Sequence, residues 1–128
     1  MFDRASCDQI MKQINAENEK TFKAFQEAAY ARSAEHVFDV IRKEIEQKEK
    51  DLDHEHEIIM SFTSFGHSVS MYVEAIKYKE PHFIFFYGLI DNKKSVLIQH
   101  VSQLSFLITV ERIQTEQRPP RRIGFGTV

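Results

Sequence analysis

Residues 58–90 read IIMSFTSFGHSVSMYVEAIKYKEPHFIFFYGLI, and this stretch decides the fold. Ile58, Met60 and Phe62 alternate with Ile59, Ser61 and Thr63, the period of two that covers one face of a β-strand. Ser64-Phe65-Gly66-His67 then supplies a turn. Val69, Met71 and Val73 alternate with Ser70, Tyr72 and Glu74 in a second strand. Lys79-Glu80-Pro81-His82 ends it, because proline removes a ladder donor. Residues 83–90 are almost continuously apolar, as expected of a central strand covered on both faces.

The ladder continues downstream. Asp91-Asn92-Lys93-Lys94 is a polar hairpin turn, and residues 95–101 make a fourth strand. Leu104, Phe106, Ile108 and Val110 alternate with Ser105, Leu107, Thr109 and Glu111 in a fifth. Connections this short force antiparallel pairing. Glycines Gly124 and Gly126 flank Phe125, so the tail offers a further short edge strand or a segment that docks on the sheet.

Upstream the period changes. Val37, Phe38, Ile41, Ile45 and Leu52 fall at helical spacing over residues 34–52, with Ser33 as cap and Glu35 in the first turn. Arg42, Lys43, Glu46, Lys48, Glu49 and Lys50 form the opposite, solvated face. Residues 3–31 also read as helix, with Ser6 and Gln9 spaced as a capping box. Its apolar residues come in two short stripes, Ile10, Met11 and Ile14, then Phe22, Phe25, Ala28 and Ala29. The polar residues 15–20 between them leave one helix or two open. The fold class is therefore α+β: N-terminal helices followed by a curled antiparallel sheet of about five strands, a small barrel or roll. Residues 1–32 form a helical extension and residues 33–128 the α+β domain with a basic C-terminal tail.

The formal net charge of −2 gives no global basic field to recruit nucleic acid. One cysteine, Cys7, excludes an internal disulfide and suits a reducing cytoplasm. The N-terminus lacks a signal-peptide core, and the apolar run 83–86 is far shorter than the roughly 18 residues of a membrane span. The expectation is a soluble protein in the cytoplasm of a bacterial or infected host cell, with no membrane partner.

Three constellations carry possible chemistry. In Asp51-Leu52-Asp53-His54-Glu55-His56-Glu57, His54 and His56 would share one side of a strand and suit a metal. A third ligand at defined spacing is missing, so the reading is a polar junction and no metal. His100, Ser102 and Gln103 lie outside any Gly-x-Ser-x-Gly frame, and Cys7 has no nearby histidine. None of the four glycines opens a helix, so no phosphate loop is present. No catalytic residue and no cofactor is expected. Arg118, Arg121 and Arg122 stand beside Phe125, where forked donors suit phosphate or carboxylate and an aromatic face can stack a base. The alternative is a solubilising tail, against which Ile123 and Phe125 argue as anchors.

Residues 33–126 resemble an uncharacterised family of small bacterial and phage proteins, a domain of unknown function. The resemblance rests on Leu52-Asp53-His54-Glu55-His56-Glu57, Ser64-Phe65-Gly66 and Phe85-Phe86-Tyr87-Gly88. It rests most on residues 97–104, LIQHVSQL, and on Arg121-Arg122-Ile123-Gly124-Phe125. It lends no activity, but its setting implies phage or prophage. A second likeness is to bacterial Sm-like RNA-binding proteins, through Glu74-Ala75-Ile76-Lys77-Tyr78 and Ile98-Gln99-His100-Val101-Ser102. Ala75 stands where that family carries glycine. That likeness implies an RNA binder with His100 as a pocket residue.

The resulting expectation is a non-catalytic protein that captures a small anionic, nucleotide-like ligand through Arg118, Arg121, Arg122, Phe125, His100 and Tyr87. In a phage setting it would sequester a defence signal. The alternative is an interaction module that inhibits or bridges a protein partner. A homo-oligomer is expected because Ile10, Met11, Phe22 and Phe25 need burial.

Overall fold

The computed structural model describes residues 4–64, 66–114 and 118–128. The chain divides into two units, Met1–Arg32 and Ser33–Val128. In the first, α1 (Arg4–Ala31) is one uninterrupted helix, so the polar residues 15–20 do not break it. Residues 7–32 are all exposed.

In the second unit, α2 (Ala34–Lys50) is capped from two directions. The Ser33 hydroxyl accepts the His36 N–H at 3.2 Å, as the sequence leads one to expect. The remaining orphan donors of the first turn are met by a distant loop. The Pro81 carbonyl accepts the Ala34 N–H at 2.8 Å, and the Glu80 carboxylate accepts that of Glu35 at 3.0 Å. Ala34, Phe38, Ile41 and Ile45 are buried on one stripe of the helix.

Six strands follow: β1 (His56–Ser64), β2 (His67–Lys79), β3 (Phe83–Ile90), β4 (Lys93–His100), β5 (Phe106–Arg112) and β6 (Gly124–Thr127). Their order is β4-β3-β2-β1-β5, with β6 added to β2. The sheet stays open rather than closing as a barrel, and it is antiparallel except that β6 runs parallel to β2. Strand β2 is the pivot. Residues 67–71 pair with β1 and residues 72–79 with β3. The register shifts between Val73 and Ala75, and from Ala75 to Tyr78 the edge that faced β1 receives β6.

One connection and one strand contact are tighter than expected. Asp91 and Asn92, at φ 51° and 62°, make the β3–β4 turn alone, so β4 begins at Lys93. Positive φ at both central residues fits the twist of the flanking strands. Gly88 lies against β2 so closely that a Cβ there would stand 2.1 Å from the Tyr72 carbonyl oxygen.

The core lies between α2 and one face of the sheet, and joins Phe38, Ile41 and Ile45 to Ile58, Met60, Phe62, Met71, Val73, Ile76, Ile84 and Phe86. Phe62 meets Phe86 edge-on at 4.8 Å. The apolar run of β3 is not covered on both faces. Ile84 and Phe86 are buried, but Phe85 and Tyr87 are half-buried and Phe83 is 41 % exposed. α2 packs on one face only, and the other carries the exposed Val96 and Ile98 of β4.

Candidate functional site

Strand alternation sends Ile58 into the core and turns Glu57 to the other face, yet Glu57 is only 2 % exposed. The reason is the tail. The Arg118 guanidinium donates to both carboxylate oxygens of Glu57, at 2.9 and 2.6 Å. The Arg121 backbone N–H donates to the same carboxylate at 2.9 Å, and its guanidinium lies 3.5 Å away. A buried carboxylate thus has two cations and several donors, the condition under which burying it is tolerable.

The tail is stitched further along. Arg122 donates to the backbone carbonyls of His56 and Asp53, each at 3.0 Å. The Glu49 carboxylate of α2 accepts the Ile123 N–H at 3.0 Å, and the Ile123 side chain is buried in the core. Phe125 then packs edge-on against Phe38 at 5.9 Å. These contacts carry the chain from the face of Glu57 to β6 on the edge of β2.

The electrostatics follow from this geometry. Burial, the largest single influence on Glu57, pushes its carboxyl up, but the Arg118 and Arg121 hydrogen bonds and charges together hold it below the ordinary 4.5. Arg118 is raised, chiefly by its bonds to Glu57. Glu49 is raised above 4.5 by burial, against the opposing Ile123 N–H and the charge of Arg122.

Beside the pair is a cleft of about 200 Å³ lined by Glu57, Tyr72, Asn92, Glu111, Arg112, Gln114, Arg118 and Arg121. The Arg121 guanidinium lies 4.7 Å from the centre of the Tyr72 ring, a cation–π contact. Arg112 pairs with Glu55 at 3.3 Å on the open surface. Among the described residues, the three guanidiniums of the cleft face two carboxylates, and one of these is already saturated. Such a lining suits a small anionic group. The volume lies below the roughly 300–1,000 Å³ of sites that engulf a drug-sized molecule.

The expected site residues are not brought together. Arg118 and Arg121 reach the cleft, whereas Arg122 is bound to carbonyls and Phe125 is part of the β6–α2 packing. Tyr87 lies on the outer face of β3, stacked on Phe85 with Lys77 at 5.2 Å. His100 ends β4. Its Nδ1 accepts the Ser102 N–H at 3.1 Å, and its ring lies 5.1 Å from that of His82. His54 precedes β1, so it shares no strand face with His56, which pairs with Asp53 at 2.7 Å. Among the described residues no three metal-ligating side chains gather. Tyr72, Asn92, Glu111, Arg112 and Gln114 escaped the sequence reading. They meet only because strand β2, the β3–β4 turn and the end of β5 converge on one cleft. Glu57 did carry a signal, an acidic residue leading directly into an apolar strand.

No helix among the described residues is long and apolar enough to cross a membrane. No curated protein and no solved structure matches the chain. A family model matches residues 26–126, from the end of α1 through β6, so the Glu57 cleft lies wholly within the matched span. The chain belongs to that family, a family of unknown function (DUF6173).

Proposed function

We propose that this chain is a non-catalytic binding protein whose cleft beside Glu57 takes the phosphate or carboxylate end of a small, nucleotide-like ligand. The observation that carries this reading is the convergence of Arg112, Arg118 and Arg121 around Tyr72 in one cleft. The roles divide by geometry. Arg118 spends both ends of its fork on Glu57 and keeps the tail in place. Arg121 keeps a looser side-chain contact of 3.5 Å, and among the described residues Arg112 pairs with an exposed partner, so these two are the anion-binding groups.

The test is a thermal-shift panel of inorganic phosphate, cyclic nucleotides, dinucleotides and short RNA, followed by calorimetry on any hit. Arg112→Ala and Asn92→Gly alter the cleft without touching the tail. Loss of one charge-assisted contact of about 1.5–3 kcal/mol should weaken binding roughly ten- to a hundredfold in Arg112→Ala. A panel without a shift, or full affinity in both variants, rejects the cleft as the site.

A second reading rests on a separate surface. Val96 and Ile98 are 52 % and 54 % exposed on edge strand β4, beside Phe83, Phe85 and Tyr87. An apolar strip along an open edge suits a protein segment that adds a strand. Under that reading the ligand panel stays silent, and Ile98→Lys abolishes partner binding without unfolding the domain.

A further inference from the structure

We propose that two copies of this chain pair through α1 as antiparallel helices related by a two-fold axis at Asn18. This stands apart from the anion cleft. The starting observation is that α1, about 42 Å long, exposes every described side chain from Cys7 onward. Among these are Met11 at 58 %, Phe22 at 63 % and Phe25 at 69 %. Most helices in proteins owe their stability to the packing of an apolar face. Because α1 is continuous, its two short stripes fall on one face, with Asn18 at the centre.

The spacing of that face points to the occupant. Read outward from Asn18, the seam steps by four, three and four residues in both directions: to Ile14, Met11 and Cys7 one way, and to Phe22, Phe25 and Ala29 the other. An antiparallel copy therefore places Ile14 against Phe22, Met11 against Phe25 and Cys7 against Ala29. Large side chains meet large ones at the centre, and small ones meet at the ends. Asn18 meets its own copy, where each amide can both donate and accept. A lone polar residue in such a seam fixes register. A two-fold interface must be self-complementary, and this seam reads the same from either end. A foreign partner imposes no such condition. Four basic residues (Arg4, Lys12, Lys20, Lys23) and four acidic ones (Asp8, Glu17, Glu19, Glu27) leave α1 neutral, so copies do not repel.

The test uses the full chain and its single cysteine. Light scattering at high micromolar concentration should give a dimer. Phe25→Glu should give a monomer whose circular dichroism still shows a folded β-domain. Under oxidant, wild type should stay uncrosslinked, because the two Cys7 lie about 33 Å apart. Ala29→Cys should form disulfide-linked dimers, and Cys7→Ser combined with Ala29→Cys should lose them. A monomeric wild type, a species larger than a dimer, an unaltered dimer in Phe25→Glu, or crosslinking through Cys7 alone or through residue 29 alone would each overturn the proposal.

Discussion

The guanidinium of Arg118 grips the carboxylate of Glu57 end to end, at 2.6 and 2.9 Å, across 61 residues of sequence. Removing the carboxylate strands Arg118 and the Arg121 N–H together. Glu57→Ala should therefore cost about 2–4 kcal/mol, a fall in Tm on the order of 10 °C. Arg118→Ala should cost less, about 1–3 kcal/mol, because Arg121 still serves Glu57. The double variant should cost less than the two singles added. Urea denaturation of the four proteins checks this, and losses near those of an exposed substitution would show that the pair does not hold the tail.

Acid should reveal two carboxylates of opposite sign. Glu57 sits below 4.5 in the folded chain, so its contribution is fully present above 4.5 and is lost as pH falls through the lowered folded value. Glu49 sits above 4.5, so its ionised form is disfavoured by folding, and stability recovers as pH falls toward 4.5. Denaturant midpoints across pH should thus be steeper on the acid side in wild type than in Glu57→Gln. Glu49→Gln should flatten the region just above 4.5 while its amide oxygen still accepts the Ile123 N–H.

Gly88→Ala should be among the most damaging single changes in the domain. The added methyl would meet backbone, not a yielding side chain: the Tyr72 oxygen at 2.1 Å and the Val73 Cα at 2.9 Å. A loss of at least about 3 kcal/mol, or failure to fold, is expected. A soluble variant with near wild-type Tm would mean that β2 and β3 can separate locally.

At the β3–β4 turn the sign reverses. Asn92 already holds φ 62°, which glycine adopts without strain. Asn92→Gly should leave stability within about 1 kcal/mol of wild type or raise it, whereas Asn92→Val should lower it by about 1–2 kcal/mol. Thermal melts of both variants decide this, and similar losses in the two would refute the turn assignment.

The strands of residues 56–112 were legible because alternation is a local signal, and so was α2, whose stripe and Ser33 cap both stand within one helix. The sixth strand was readable only as a possibility, since Gly124–Thr127 is too short to show a period. The open sheet and the parallel pairing of β6 depend on the register shift between Val73 and Ala75, which no single residue announces. The basic tail was recognisable as a feature, but its partner was not. Arg118 and Glu57 lie 61 residues apart, and nothing local marks one as the counter-ion of the other. Glu57 looked like one more member of a polar junction, although the fold buries it more deeply than any other acidic side chain described.

The parallel seat of β6 on β2 also sets an order in time. A nascent chain can pair β1 through β5 as they emerge, since each joins a neighbour already made. Until residues 118–127 leave the ribosome, however, Glu57 has no counter-ion and the β2 edge from Ala75 to Tyr78 has no strand beside it. Docking of the tail therefore closes the domain, and the nascent protein carries an open edge for as long as the tail is delayed.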